Sequence, residues 1–148
     1  MNPLHPKIDA DGTQVLESGL LASHRFPHAF STRIGPGGRS FDLARPGQSF
    51  LETSNQTLLD HLARFSRLLR PDAPEVATAR QVHGIAVVDG SRAEAADADI
   101  LVSTSSDRAI AVRTADCVPI LIACPKTRIV AAVHAGWRGL GQVMRIGT

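Results

Sequence analysis

The sequence predicts an α+β domain, one amphipathic helix laid against a mixed or antiparallel β-sheet. Three observations carry this expectation. A single segment, residues 52–69, has apolar residues at helical spacing. The second half of the chain is a succession of short aliphatic runs separated by glycine, polar or proline-containing turns. The length of 148 residues, with 43% hydrophobic and 20% charged residues, fits one domain able to bury a core.

Residues 1–26 are interrupted by proline and glycine and read as an irregular N-terminal segment, with "TQVLESGLLAS" a short patch suited to an edge strand. "HAFSTRIGPGGRS" reads as a strand entering a glycine turn, because Gly35, Gly37 and Gly38 allow positive φ. The amides of such a turn can face an anion, a weak signal on its own. In "ETSNQTLLDHLARFSRLL" the residues Leu58, Leu59, Leu62, Phe65, Leu68 and Leu69 form one stripe, with Thr53, Ser54 or Asn55 as N-cap and Pro71 as the stop. Four β-rich stretches follow: "VATARQVHGIAVVDG", "DADILVST", "AIAVRTADCVPILIAC" and "RIVAAVHAG".

The last two stretches are joined by "PKTR", Pro125 to Arg128. A four-residue connection sets Cys124 opposite Ile129 and, counting back, Pro119 opposite His134. Cys117 then shares the face of His134 and lies diagonal to it, roughly 7–8 Å away between backbones. Taken singly, the cysteine reads as a small buried hydrophobe and the histidine as a hydrogen-bonded strand-end residue. Taken together, they are a possible pair of metal ligands. His83, in "QVHG" at the end of a β-like segment, is the third candidate. His61 lies in the helix, and His5, His24 and His28 lie before the first firm strand. Two imidazoles and a thiolate leave one tetrahedral position open, which distinguishes catalytic from structural zinc. Copper is the alternative for such donors, although no methionine stands nearby to favour an electron-transfer site.

Composition narrows the remaining classes. The formal charge is +2 and the basic residues are scattered, which argues against a nucleic-acid or acidic-membrane partner. Fourteen of the sixteen basic residues are arginine, a bias suited to recognition of oxyanions but equally explained by composition. Cys117 and Cys124 are too far apart along one extended segment to form a disulfide. There is no secretory-type N-terminus and no run of the ~20 apolar residues that span a bilayer, so a cytoplasmic protein is expected. Nothing in the sequence sets the oligomeric state.

The motifs "STR-G" (Ser31–Gly35), "QVHG" (Gln81–Gly84), "ADILVS" (Ala98–Ser103), "TADCVPIL" (Thr114–Leu121) and "VAAVHAGWRGL" (Val130–Leu140) occur in one order over residues 27–140. Through them the chain resembles the multicopper polyphenol oxidase (laccase) domain family, now described as purine nucleoside phosphorylases with adenosine deaminase activity. The resemblance implies the CNF1/YfiH-like fold, of which residues 27–148 form an incomplete, C-terminally truncated part. It implies zinc held by His83, Cys117 and His134, the three residues singled out above. It also implies purine nucleosides and phosphate as substrates: adenosine, inosine, guanosine and methylthioadenosine.

Phosphorolysis needs an oxyanion held beside the sugar, for which Arg138 and Arg33 are the candidates. Asp116, the carboxylate nearest Cys117 in sequence, is a candidate acid–base group or an anchor. The chain departs from the family pattern at "SFDLA" (Ser40–Ala44) and at Asn55-Gln56, so reduced turnover is expected. The alternatives are a copper-dependent polyphenol oxidase, a peptidoglycan-editing amide hydrolase, and a non-catalytic metal-binding fragment.

Overall fold

A computed structural model describes residues 4–41, 43, 55–70, 72 and 75–137. It contains both antiparallel and parallel strand pairing together with helix, the mixed character expected. The chain divides into two compact units, Met1–Ala73 and Pro74–Thr148.

In the first unit, β1 (Leu4–Ile8) and β2 (Gln14–Ser18) form an antiparallel hairpin. Val15 and Leu16 of β2 then pair with Ser31 and Phe30 of β3 (Phe30–Ser31). Within the N-terminal segment read as irregular, Leu4–Ile8 and Gln14–Ser18 are therefore paired strands, the second flanked on both sides and not at an edge. Asp9 closes the hairpin by accepting, through Oδ1, the amides of Asp11 and Thr13, each at 3.0 Å, while Gly12 takes the left-handed conformation at φ 86°. A short helix, α1 (Gly19–Ser23), follows, capped by the Ser18 side chain.

The expected long helix is α2 (Asn55–Leu69). Its Leu58, Leu62 and Phe65 are buried, a spacing of four and three that keeps one face inward. Leu59 is exposed. Phe65 packs with Val15 of β2 and Phe41, its ring 6.4 Å from that of Phe41. Arg64 ties the helix to the hairpin turn, donating to Asp9 Oδ2 at 3.3 Å and pairing with Asp11. The proposed caps Thr53 and Ser54, and Pro71, lie outside the described residues. In the glycine turn, the amides of Gly37, Gly38 and Arg39 bond to the carbonyls of Asp11, Gly35 and Pro36. An anion cradle there is not supported.

The second unit has a four-stranded sheet ordered β5 (Val87–Asp89), β6 (Ile100–Ser103), β9 (Val130–Ala135), β8 (Val118–Ala123). A separate parallel pair joins β4 (Val76–Ala77) to β7 (Ala109–Ile110). The strands β6 and β9 are central and apolar on both faces, as sheets covered on both sides require. Leu101 packs with Ala77, Ala79, Ala93 and Ala98 on one face. Ile100 packs with Val133 and Ala135 on the other.

The hairpin register is the one expected from the turn: Pro119 faces His134, and the Cys124 amide donates to Ile129 O at 2.9 Å. Arg128 closes the turn in the left-handed region at φ 62°. Alternation from the bonded Cys124–Ile129 pair points the backbone of Pro119 away from β9, so the missing N–H costs no bond between these strands. Both cysteines are free. Among the described residues no helix is long and apolar enough to cross a membrane.

Candidate metal centre

Three separate loops and strand ends of the second unit converge at one place. His83 lies in the loop between β4 and β5, Cys117 in a bend one residue before β8, and His134 in β9. One donor atom from each lies within 4.8 Å of the other two. The His83 and His134 rings meet edge-on, with centroids 4.8 Å apart and planes at 78°. His134 is 4% exposed, Cys117 half-buried and His83 exposed, so the cluster opens to solvent on the His83 side.

Asp99 builds the inner wall. It stands immediately before β6 and is fully buried. Its Oδ1 lies 2.6 Å from His134 Nδ1 and accepts the His83 amide at 3.0 Å. Its Oδ2 accepts the amides of Val82 at 3.2 Å and Gly84 at 2.8 Å. Three successive amides thus enclose a carboxylate, the arrangement by which a backbone concavity binds an anion. Burial by itself pushes the Asp99 carboxyl up. The hydrogen bonds from His134 and from Gly84, Val82 and His83 outweigh it, and the net displacement is below the usual carboxylate range.

The strand ladder supplies the rest of the alignment. Ile100 pairs with Val133, and the next bond along is from the His134 amide to Asp99 O at 2.8 Å. Asp99 and His134 are therefore opposite each other at the end of the β6–β9 ladder.

Two further residues shape the cluster. Gln81 bonds to the backbone of Arg113, four residues before Cys117. Gly136 leaves room for the His83 and Cys117 side chains: an added Cβ would stand 3.0 Å from His83 Cδ2 and 3.6 Å from Cys117 Sγ. His83 itself has φ 60°, a conformation uncommon for residues with a side chain and concentrated at functional sites.

The residues fit a metal ion. A tetrahedral zinc centre places its N and S donors roughly 3.4–3.7 Å apart, so donors already within 4.8 Å need only small side-chain rotations to share one ion. A carboxylate behind a ligating imidazole is the usual outer support of such sites.

The sequence-derived candidates separate in the structure. His83, Cys117 and His134 are brought together. Asp116 is exposed, in the bend beside Cys117 and not on a strand, so strand alternation does not govern its direction. Arg33 is exposed in the first unit, where its carbonyl accepts the Phe41 amide at 3.0 Å. Arg138 lies outside the described residues. Sequence reasoning did not single out Asp99, Gln81 or Gly136. A signal for Asp99 exists in the sequence: an acidic residue opening the apolar run "DILVS" goes into the core only with partners.

Comparison with known proteins agrees with this geometry. Residues 27–146 match the family model described as multi-copper polyphenol oxidoreductase laccase. A purine nucleoside phosphorylase of Deinococcus radiodurans is 34% identical over 140 residues, covering 95% of this chain and 53% of that protein. Another, from Streptomyces griseus, is 44% identical over 82 residues, 52% of this chain and 33% of that protein.

Among solved structures, YlmD from Geobacillus stearothermophilus superposes with a TM-score of 0.68 at 22% identity, over 95% of this chain and 56% of that one. The Neisseria meningitidis protein NMB0706, of DUF152, gives a TM-score of 0.63 at 26% identity, over 96% and 54%. The chain thus spans about half the length of the Deinococcus relative and of these solved chains. By the extent of the family match, and by motifs that converge on one cluster of donors, this chain belongs to the multi-copper polyphenol oxidoreductase laccase family.

Proposed function

We propose that the chain carries the metal centre of a zinc-dependent purine nucleoside phosphorylase that also deaminates adenosine. The observation that carries the reading is the convergence of His83, Cys117 and His134 in a chain whose relatives bear the name purine nucleoside phosphorylase. In this reading the three residues hold zinc and leave one coordination position for water or substrate. Zinc bound there supplies a water acidic enough to ionise near neutral pH, the nucleophile that deamination needs.

The chain's own groups have the remaining roles. Cys117 and His134 offer a thiolate and an Nε2 lone pair from the buried side, and His83 completes the set from the solvent side. Arg33 and Arg138 are proposed to bind phosphate, since a guanidinium presents paired donors to an oxyanion. Asp116 is proposed to move a proton to the departing group. The substrates proposed are phosphate with adenosine, inosine, guanosine or methylthioadenosine, and the compartment proposed is the cytoplasm.

The test is metal analysis of the purified chain, followed by hypoxanthine release from inosine with and without phosphate and ammonia release from adenosine. Phosphate-dependent release that disappears in Cys117→Ala supports the proposal. Zinc binding without turnover of either nucleoside refutes the enzymatic part and leaves a metal-binding fragment. The family description favours one second reading, a copper-dependent polyphenol oxidase. Bound copper with oxygen uptake on a phenolic substrate would establish it.

A further inference from the structure

We propose that Asp99 is the positioning residue of this centre, one carboxylate that dictates which nitrogen of His134 faces the metal and fixes the backbone that carries His83. The inference rests on the metal reading and deepens it. It follows from how four donors share two oxygens.

An ionised carboxylate has only lone pairs to offer. Oδ1 takes the His83 amide and sits 2.6 Å from His134 Nδ1, so that ring nitrogen must carry the proton. The lone pair is then on Nε2, the atom left for a metal. Oδ2 takes the amides of Val82 and Gly84. The His83 backbone, held at φ 60°, is therefore clamped on both sides and through its own amide. Asp99 and His134 are both nearly inaccessible to water, so no solvent molecule substitutes for these bonds without rearrangement.

The same count predicts what an isosteric amide does. Asparagine has one acceptor oxygen and one NH2 group. With its NH2 at the Oδ2 position, two donors face the backbone amides of Val82 and Gly84, which cannot change role. With its NH2 at the Oδ1 position, only the His83 amide loses its acceptor, Val82 and Gly84 keep theirs, and His134 can adapt by accepting at Nδ1 and moving its proton to Nε2. The second arrangement is preferred, and it turns the metal-facing nitrogen into a donor.

A residue that merely filled space would not produce this exchange. The experiment uses the full chain in the metal-free state and reads the His134 ring nitrogens in long-range proton–nitrogen NMR spectra. A chelator competition then gives the zinc affinity. Wild type is expected to show the Nδ1–H form. A folded Asp99→Asn variant is expected to show the Nε2–H form and to lose zinc affinity at least tenfold.

The Nε2–H form in wild type overturns the proposal with no variant needed, so a variant that fails to fold does not shelter it. An Asn variant with unchanged tautomer and unchanged affinity overturns it too. A wild-type chain with the Nδ1–H form but no zinc binding refutes the metal reading, and the proposal falls with it; the intact tautomer identifies that cause.

Discussion

Gln81 and Arg113 are joined by two hydrogen bonds, Gln81 Nε2 donating to Arg113 O at 2.6 Å and Arg113 N donating to Gln81 Oε1 at 2.8 Å. A side-chain amide here does what a neighbouring strand does elsewhere, satisfying both polar groups of one residue. It links the loop of His83 to the segment that leads to Cys117. Gln81→Ala leaves a partly buried donor and acceptor without these partners, which costs about 1–3 kcal/mol. The expected outcome is a lower urea midpoint together with weaker zinc binding. An unchanged zinc affinity in the folded variant would show that the clamp does not position the cluster.

The glycine after His134 and Ala135 makes a sharper demand on space than on backbone conformation. Gly136 is not among the residues with positive φ, so alanine is tolerated locally. Its methyl group would nonetheless lie 3.0 Å from His83 Cδ2, tighter than ordinary van der Waals contact. Gly136→Ala should therefore displace the His83 ring and weaken zinc binding about tenfold, equivalent to ~1.4 kcal/mol. Because Gly136 is buried, the metal-free stability should fall as well, by about 1 kcal/mol. Chelator competition and thermal unfolding on the same samples check both halves.

His83 holds a left-handed backbone conformation that costs a side-chain-bearing residue roughly 1–2 kcal/mol. His83→Gly removes that strain but adds freedom to the unfolded chain, so its metal-free stability should stay within about 1 kcal/mol of wild type. His83→Val, branched at Cβ, should lose about 1–3 kcal/mol. Both variants remove one of the three candidate metal donors. Equal stabilities for Gly and Val would contradict the strain argument.

Asp89 gives a pH dependence with a definite sign. The Ser91 hydroxyl donates to its Oδ1 at 2.6 Å and the Ser91 amide at 2.8 Å. These bonds, the hydroxyl first, hold the carboxyl below the usual range against the opposing effect of desolvation. A depressed carboxyl contributes stability above its unfolded pKa of about 3.9 and loses it as pH falls through the lower folded value. Side-chain carbon NMR should show Asp89 titrating below that reference, and Ser91→Ala should raise it. A titration that does not move in the variant would remove the hydroxyl as the cause.

Local chemistry makes several features legible in the sequence. The turn "PKTR" sets the register of β8 on β9, because a short connection leaves few ways to align two apolar strands. The stripe Leu58, Leu62, Phe65 locates α2 by its period alone. Cys117 and His134 stand out as polar side chains in an aliphatic hairpin, and His83 as the third donor. The hairpin β1–β2 is not legible in the same way, because proline and glycine in the segment obscure an alternation that the Asp9 turn sustains.

The sequence by itself named His83, Cys117 and His134 as candidate donors and set the register of the hairpin that carries His134, since residue type and a short turn suffice for that, whereas their convergence is a tertiary fact. Only the tertiary structure decided that Asp99 joins His83 to His134, that Gln81 reaches Arg113, and that Gly136 gives the His83 ring its room. These contacts join residues far apart along the chain, and their partners are selected when the strands pack. A buried carboxylate must find all its donors at once, and no local pattern in the sequence names them.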